Sequence, residues 1–293
     1  MRGISVIIPT LNRARYLDNT LKFLEFQDFR GDWEIIIVDQ SGKGFDCKNN
    51  PKINYYNTSH LFKGLPEARN YGAQKARYDL LIFIDDDVEF GADFIRRHFE
   101  SYQENICAVA GRIKEINRRD TGTKTGYLNK WTLNTERGFH LCQKKIVDHF
   151  PGGNFSIPKD IYLKLGGTDE NMNVGASLYE ETELAMRLKK TGAIIIFNPA
   201  ATLNHLGAEA GGCRINDIKD YVDAMVHNRA VIINRHLLWY QKPVALLQTM
   251  KLALAFFFHY HQKDILKDFI KSYTEGKRKG RKFPKFTIYQ NNS

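Results

Sequence analysis

One stretch constrains the fold more than any other, an apolar run that ends in three adjacent acids, Leu80-Leu81-Ile82-Phe83-Ile84-Asp85-Asp86-Asp87. The uninterrupted run predicts a strand buried on both faces, which is typical of parallel sheets in α/β proteins. Adjacent carboxylates repel one another unless a cation or a shared proton separates them. Because ligands of open α/β sheets bind at the carboxyl ends of strands, the stretch predicts a site for a divalent cation and phosphate. The alternative is a solvated acidic turn after a core strand.

Strands and helices alternate through the first third of the chain. Further buried strands are predicted at Ile4–Ile8 and Glu34–Asp39. The helical spacing of Leu17, Leu21 and Leu24 predicts an amphipathic helix between them. This alternation over residues 4 to 100 predicts a doubly wound half-domain.

Composition narrows the partners and the compartment. The 293 residues suffice for one large α/β domain or two modest ones, and the formal charge of +10 suggests an anionic partner. Much of the excess charge lies in Lys277–Lys282, for which a solvated, disordered tail is expected. The widely spaced cysteines predict thiols in a reducing compartment. They are Cys47, Cys107, Cys142 and Cys213. The N-terminus lacks the pattern of a secretory signal, so we expect a cytoplasmic protein.

Several polar side chains are candidates for partners of the acidic cluster, and each has a second interpretation. Asp39 ends a buried strand and is either a turn residue or a contact to a ribose or base. Glu180 and Glu181 open a predicted helix, where acids suit the helix dipole but can also supply a general base. His205 is either a packed side chain or a metal ligand.

The C-terminal third has a different composition. From Ile215 onward the apolar spacing is helical, and Val244–Phe258 is almost wholly apolar. About 15 residues fall short of the roughly 20 that cross a bilayer. The segment is therefore either a core helix or an interfacial membrane helix supported by the basic tail, which would place the protein at the inner face of the cell membrane.

The motifs, in order, resemble those of the family 2 glycosyltransferases, which are inverting enzymes with the GT-A fold. They are Ser5–Arg13, Ile37–Ser41, Gly64–Asn70, Asp85–Asp87, Gly152–Asn154, Gly166–Glu170, Glu180–Leu184 and His205–Gly207. The resemblance implies a mixed, mostly parallel sheet flanked by helices. It divides the chain into a nucleotide-sugar-binding half (1–110), an acceptor-binding and catalytic half of the same domain (111–210) and a C-terminal helical extension with a basic tail (211–293).

Residue roles follow from the same resemblance. The implied donor-nucleotide contacts are Pro9, Thr10, Asn12, Arg13, Asp39, Ser41, Gly64, Arg69, Asn70, Asp85 and Asp86. The implied acceptor-side residues are Gly152, Gly153, Asn154 and Asp169, and the implied metal ligands are Asp87, Asp85 and His205. The catalytic base would be Glu181, at a position where the family usually has Asp, with Glu180 as its competitor.

The expected activity is transfer of a sugar from a nucleotide-diphosphate donor to a hydroxyl acceptor, with Mn or Mg as cofactor. The acceptor would be a glycan or a lipid-linked sugar in surface polysaccharide or glycolipid synthesis. The alternative is a non-catalytic module that binds sugar nucleotides or glycans on the same scaffold. A glycoside hydrolase with paired carboxylates fits the strand-end acids poorly, and no motif for specific nucleic-acid binding accompanies the basic tail.

Overall fold

The computed structural model describes residues 3–47, 50–103, 105–117, 119–120, 122–212 and 217–289, so Cys213 and the predicted helix start at Ile215 lie outside it. The strands are β1 (Ile4–Thr10), β2 (Trp33–Asp39), β3 (Ile53–Asn57), β4 (Leu80–Ile84), β5 (Val88–Phe90), β6 (Ile106–Glu115), β7 (Tyr127–Leu128), β8 (Thr135–Glu136), β9 (Lys145–Ile146), β10 (Asn154–Pro158) and β11 (Ile194–His205). The helices are α1 (Ala14–Glu25), α2 (Leu65–Lys75), α3 (Phe94–Phe99), α4 (Lys159–Lys164), α5 (Glu180–Lys190), α6 (Ile218–His236), α7 (Lys242–Tyr260) and α8 (Asp264–Gly280).

The central sheet has the order β3-β2-β1-β4-β10-β6-β11-β5, and β9 pairs with β11 outside this path. β3, β2, β1 and β4 pair in parallel, as do β6 and β11, whereas β10 lies antiparallel between β4 and β6. β5 and β9 are antiparallel to β11. The predicted mixed, mostly parallel sheet flanked by helices is confirmed. The three-part division of the chain stays a prediction.

Register brings the polar strand ends together. Thr10 is opposite Asp39 in the β1–β2 pair, and Ile7 is opposite Phe83 in the β1–β4 pair. β2 ends level with Thr10, and β4 ends about two residues earlier, so the acids after β4 lie at the same edge. The predicted convergence of strand ends follows from the parallel pairing.

Both faces of the sheet are covered, as the uninterrupted apolar strands predict. Ile7 packs into a cluster with Tyr71 of α2, whereas its neighbours Val6 and Ile8 pack on the other face with Leu17 of α1. This alternation is the two-residue period of a strand. α1 and α2 are thereby fixed on opposite faces, which places their N-termini above the polar edge.

The C-terminal helices pack on one another and reach back to the sheet domain. The buried Arg229 of α6 donates to Thr249 Oγ1 of α7 at 3.0 Å and to the Leu133 carbonyl at 3.0 Å. Gly276 of α8 lies against the His227 carbonyl, where a Cβ atom would collide. This close approach locks α8 onto α6.

The prediction of a disordered basic tail is wrong. Lys277 to Gly280 form the last turn of α8, and the chain then returns to the sheet domain. The backbone N–H of Thr287 donates to Glu170 Oε1 at 2.8 Å, and that of Tyr289 donates to Gln74 Oε1 at 2.9 Å. Residues 283–289, which we call the C-terminal strap, therefore fasten the helical extension to α2 and to the loop before α5.

α7 is not a core helix. Only Ala245, Thr249 and Ala253 are buried along its length. Most of its large apolar side chains are partly or wholly exposed. Within the described residues, no helix combines the length and apolarity needed to cross a bilayer.

Candidate active site

The acids after β4 lie beside the end of β11, which brings Asp85, Asp87 and His205 together. One ligand atom from each of these residues lies within 4.8 Å of the others. Asp87 is 1% exposed, and its Oδ2 accepts a hydrogen bond from the Ala208 N–H at 2.7 Å. Its Oδ1 is also buried, and the ring of His205 lies beside it, with Nε2 at 3.2 Å. Two carboxylates and an imidazole form a donor set that suits a divalent cation.

His205 is oriented by a carboxylate that the sequence did not predict. Its Nδ1 lies 2.8 Å from Glu115 Oε2, and its Nε2 lies 3.2 Å from Asp87 Oδ1. Burial disfavours the imidazolium, but Asp87 and Glu115 outweigh it and raise the pKa of His205 to about 10. Burial on its own would raise the pKa of Asp87, but His205 and the Ala208 N–H outweigh it and lower that pKa to about 2. Glu115 thus occupies the outer position of a carboxylate–histidine pair, which fixes the ring of a metal-binding histidine.

Asp86 faces away from this cluster and organises the loop after β1. Thr10 Oγ1 donates to its Oδ2 at 2.6 Å, and Arg13 Nη1 lies 3.0 Å from its Oδ1. Burial outweighs both contacts and raises the pKa of Asp86 to about 7. Arg13 also donates to the carbonyls of Ala210 and Gly211, both at 2.9 Å. Arg13 therefore links the acidic loop to the segment after β11.

A cavity of about 390 Å³ lies between the ends of β1 and β2. Asp39 is held at its base, because its Oδ1 accepts from the Ser41 N–H and its Oδ2 from the Tyr55 hydroxyl, both at 2.8 Å. Asn12 closes the β1 side, and its N–H donates to Ser41 Oγ at 2.7 Å. The size of the cavity and the polar side chains at its base suit a nucleoside.

Further wall residues of this cavity went unpredicted. Lys43 and Phe45 also line it. The signal that could have found them is their position in the loop directly after Asp39. Pro9 lies inside β1, paired with Val38, and is not among the residues that line the cavity.

Arg69 and Glu180 form an ion pair that is almost completely buried, with side chains 2% and 1% exposed. Arg69 Nη2 also donates to the Gly152 carbonyl at 2.7 Å. A carboxylate committed to a buried guanidinium is poorly placed to accept a proton from a substrate. The ion pair therefore favours Glu181 over Glu180 as the candidate base.

Glu181 is half-buried at the start of α5. Burial raises its pKa, an effect that Arg69 and Arg137 oppose and the Asp85 carboxylate reinforces. The backbone of the glycine loop lies between Glu181 and the acidic cluster, because Gly153 is against the Asp85 carboxylate and Gly152 is against Arg69, which pairs with Glu180, the residue before Glu181. Raised pKa values of this kind are a common property of general bases.

Two glycines link the acid cluster to the Arg69–Glu180 pair. A Cβ atom on Gly153 would collide with the Asp85 carboxylate, and one on Gly152 would lie 3.1 Å from Arg69 Nη2. The backbone between β9 and β10 thus passes directly beneath both groups. This close approach explains why this loop has no side chains at either position.

Two residues that were predicted to contact the acceptor, Asn154 and Asp169, instead bond to other parts of the fold. Asn154 is fully buried, with its amide bonded to His98 and to the carbonyls of Arg112 and Ala201. Asp169 is also fully buried, pairing with Arg235 at 2.6 Å and accepting the Lys285 N–H at 2.8 Å.

Asn70, expected at the donor nucleotide, holds the loop before α5 from within. Its Nδ2 donates to the Thr168 carbonyl at 2.8 Å, and its Oδ1 accepts the Thr168 N–H at 2.9 Å. Gly64, at the start of α2, donates its N–H to Gln40 Oε1 at 2.6 Å. The predicted direct contacts of Asn70, Asn154 and Asp169 with substrates are therefore corrected to internal bonds, because their polar atoms are buried and already paired.

Solved structures share this architecture. TarS of S. aureus in complex with UDP-GlcNAc superimposes with a TM-score of 0.58 at 15% identity, covering 92% of this chain and 79% of that one. GalNAc-T7 with UDP, GalNAc and Mn2+ superimposes with a TM-score of 0.57 at 16% identity, covering 89% of this chain and 58% of that one. These likenesses show that the chain has a GT-A-type fold.

The sequence profile of Glycosyl transferase family 2 matches residues 5–166, more than half of the chain, and the chain belongs to that family. A curated relative, the glucosyl-dolichyl phosphate glucuronosyltransferase of Haloferax volcanii, is 25% identical over 219 residues, which are 69% of this chain and 68% of the relative. Two other curated relatives are aligned over only 38% and 49% of their own length. The matched profile ends before Glu180 and His205.

Proposed function

We propose that this protein is a metal-dependent, inverting glycosyltransferase that moves a sugar from a nucleotide-diphosphate donor to a hydroxyl acceptor. The single observation that carries the proposal is the cluster of Asp85, Asp87 and His205, which the loop Gly152–Gly153 and the Arg69–Glu180 pair connect to the half-buried Glu181. A non-catalytic sugar-binding module has no use for a carboxylate with a raised pKa beside the donor. Nothing in the comparisons favours that alternative.

In this mechanism, the nucleoside enters the cavity above Asp39, and the diphosphate extends toward Asp85 and Asp87. A divalent cation bound by Asp85, Asp87 and His205 would stabilise the negative charge of the leaving diphosphate. Arg13, which lies 3.6 Å from Asp87 Oδ2, holds the acidic loop in position. The Mn2+ in the GalNAc-T7 structure makes Mn or Mg the expected ion.

Glu181 accepts the proton of the acceptor hydroxyl as that oxygen attacks the anomeric carbon opposite the diphosphate. The C–O bond to the new oxygen forms while the bond to the phosphate oxygen breaks, so one displacement inverts the centre. Arg69 neutralises Glu180 beside this base, which keeps a second negative charge from raising the pKa of Glu181 further. Assistance by such a base is worth about 10²–10⁴-fold in rate.

The acceptor class is inferred from the relatives and from the surface of the C-terminal helices. The relative from Haloferax volcanii is named for a dolichyl-phosphate-linked sugar. We assign this chain a glycan or lipid-linked acceptor in surface polysaccharide or glycolipid synthesis. Gly152 and Gly153 would line the acceptor side by their backbone.

A thermal-shift screen tests the donor site. The protein is mixed with UDP-, GDP- and dTDP-sugars, each with Mn²⁺, with Mg²⁺ and with EDTA. A ligand at about 100 times its Kd stabilises the folded state by about 2.7 kcal/mol, so one nucleotide should raise Tm clearly and only with a metal. No metal-dependent shift with any sugar nucleotide would contradict the proposal.

We further assign the protein a peripheral position on an anionic membrane surface. Val244, Leu247, Met250, Leu254 and Phe258 recur every three or four residues along α7, and each is at least 36% exposed. This spacing forms one apolar stripe, which we call the α7 face. An exposed apolar helix face of this length is typical of an interfacial membrane helix.

Aromatic and basic side chains frame the α7 face. Trp239 is 81% exposed just before the helix, next to Tyr240. Trp and Tyr at such a boundary are typical of the headgroup region. Lys242 and Lys251 lie on α7, Lys263 directly precedes α8, and Lys267 and Lys271 lie in the first half of α8. Their charge is complementary to anionic lipids, which favours a membrane over a second copy of this equally basic chain.

Flotation with vesicles of phosphatidylcholine and phosphatidylglycerol at low salt tests this assignment. The wild-type protein should float with the vesicles, and Leu247→Ser/Leu254→Ser should remain at the bottom of the gradient. Leu61→Ser, at an exposed apolar residue in another part of the chain, is the matched control and should float. Failure of the wild-type protein to float, or dimerisation through the α7 face, would exclude membrane contact.

A further inference from the structure

A second cavity lies apart from the catalytic cleft, at the far end of α5. Its volume is about 310 Å³, and it lies between the last turns of α5, the β7 hairpin and the connection from α6 to α7. Lys189 and Lys190 line it, about 12 Å along the helix axis from Glu181 at 1.5 Å per residue. The cavity is therefore separate from the donor site.

Positive charge dominates its wall. Lys130, Lys189 and Lys190 face a single carboxylate, that of Asp148, which lies 2.7 Å from Lys189 Nζ. Lys190 Nζ donates to the Arg235 carbonyl at 3.3 Å. Burial lowers the pKa of Lys190, with Glu183 opposing and Arg235 adding to the effect. An anion in the cavity would compensate this excess charge.

His236 provides an unsatisfied polar atom in the same wall. Its side chain is 1% exposed, and its Nε2 lies 2.9 Å from Glu183 Oε1. Burial favours the neutral form of Glu183, but Arg187, His236 and Arg235 outweigh burial and hold the pKa of Glu183 well below its usual range. The Glu183 carboxylate is therefore ionised and accepts the hydrogen bond, so His236 Nε2 is the donor. Burial lowers the pKa of His236, against the opposing effect of the Glu183 carboxylate. The other ring nitrogen, Nδ1, is buried with no hydrogen-bond partner among the described residues.

The rest of the wall is apolar and opens toward the proposed membrane surface. Leu128, Met186 and Leu237 form the inner part, and Leu238 lies at the outer edge. Leu238 is 54% exposed and directly precedes Trp239 at the end of the α7 face. The cavity thus combines a cationic interior with an apolar exit.

We propose that this cavity binds the phosphate group of an amphiphile, with the phosphate between Lys130 and Lys190 and the alkyl chain leaving along Leu238. The inference deepens the proposed membrane contact and rests on it for the source of the ligand. In the bilayer the ligand is an anionic phospholipid headgroup, and its capture would fix the orientation of the cleft relative to the membrane. It takes no part in sugar transfer.

Titration calorimetry with n-decyl phosphate below its micelle concentration tests the cavity without a membrane. The full-length protein should bind decyl phosphate more tightly than either inorganic phosphate or decanol. Lys130→Ala/Lys190→Ala should weaken this binding at least tenfold, since each lysine supplies a charged contact to phosphate. Lys144→Ala, at an exposed lysine that does not line the cavity, should leave it unchanged. Equal affinity in the double variant, or equal affinity for inorganic phosphate, would overturn the proposal.

Vesicle binding then separates this inference from the membrane assignment. The cavity variant should keep its affinity for neutral phosphatidylcholine vesicles and lose the gain that phosphatidylglycerol adds. The α7-face variant Leu247→Ser/Leu254→Ser should lose vesicle binding and retain decyl phosphate. The wild-type protein could bind decyl phosphate through these lysines and yet bind no vesicles. In that case the membrane assignment is wrong, and the cavity binds a free amphiphile.

Discussion

Arg69 and Glu180 form a buried ion pair directly beneath the cleft that contains Glu181. The pair separates two adjacent glutamates into different roles, because one is neutralised by a guanidinium and the other is half-buried with a raised pKa. Arg69 also donates to Gly152, so it connects α2, the loop before β10 and α5. It is a positioning residue for the base rather than a contact of the donor.

Glu180→Gln should therefore destabilise the fold more than it alters chemistry. Removing one partner of a buried ion pair costs about 3–5 kcal/mol, because the other charge remains buried without compensation. Chemical denaturation should show this loss, and Arg69→Met/Glu180→Leu should be more stable than Glu180→Gln. At a temperature where the variant is folded, the pH profile of kcat should keep its wild-type midpoint. If the midpoint of the kcat profile shifts in Glu180→Gln, as expected when the general base is replaced, Glu180 would be the base.

Gly153→Ala should impair the metal site without unfolding the protein. Its methyl group would occupy the position of the Asp85 carboxylate, so that side chain must move out of the cluster. We expect weaker Mn²⁺ binding by calorimetry and a matching loss of turnover. Gly42→Ala is the matched control, because nothing lies within 4 Å of the Cβ position at Gly42. Unchanged Mn²⁺ affinity in Gly153→Ala would remove Asp85 from the metal site.

Glu115→Gln should weaken metal binding although it removes no proposed ligand. The carboxylate lies 2.8 Å from His205 Nδ1 and orients the ring, and loss of such an outer partner typically costs about 10–100-fold in affinity. A competition titration with a metal chelator measures the change. Glu89→Gln, at a carboxylate that accepts a hydrogen bond from Asn19 of α1, should bind metal normally. Equal affinities for the two variants would argue against a role of His205 in the site.

The fold should lose stability in acid through Glu183. Burial favours its neutral form, but Arg187, His236 and Arg235 outweigh burial and hold its pKa well below the ordinary value of 4.5. A carboxyl with a lowered folded pKa stabilises the fold above the unfolded pKa, and this contribution is lost as the pH falls below about 4.5.

Denaturant titrations from pH 6 to pH 3 measure this contribution. Glu183→Gln should be less stable at pH 6, by about 3–5 kcal/mol, and its free energy of unfolding should fall less steeply below pH 4.5 than that of the wild-type protein. Glu25→Gln, at an exposed surface position, should follow the wild-type curve. Parallel curves for Glu183→Gln and the wild-type protein would contradict the assignment.

Features with a local cause were predictable from the sequence. The apolar run at Leu80–Ile84 specifies a central strand whatever surrounds it, and the acids that follow must lie at its carboxyl end. Parallel pairing then brings Asp39 to the same edge. The placement of the sheet and of the acidic cluster required no knowledge of distant contacts.

Features that depend on distant partners could not be predicted in this way. Asn154 looked like an acceptor contact until His98, 56 residues away, was found to bond its amide. Glu115 acquires its role only because β6 pairs with β11 and brings it to His205. The basic tail is ordered because α8 packs against α6, and no local sequence pattern predicts this packing.

The central claim is that Glu181 removes the acceptor proton in a cleft where Asp85, Asp87 and His205 hold the metal and the donor. Single-turnover transfer by Glu181→Gln tests it most directly, with donor affinity measured on the same sample. We predict wild-type affinity for the sugar nucleotide with Mn²⁺ and a transfer rate lower by about 10²–10⁴-fold. Transfer at the wild-type rate by a variant that binds the donor normally would contradict the account.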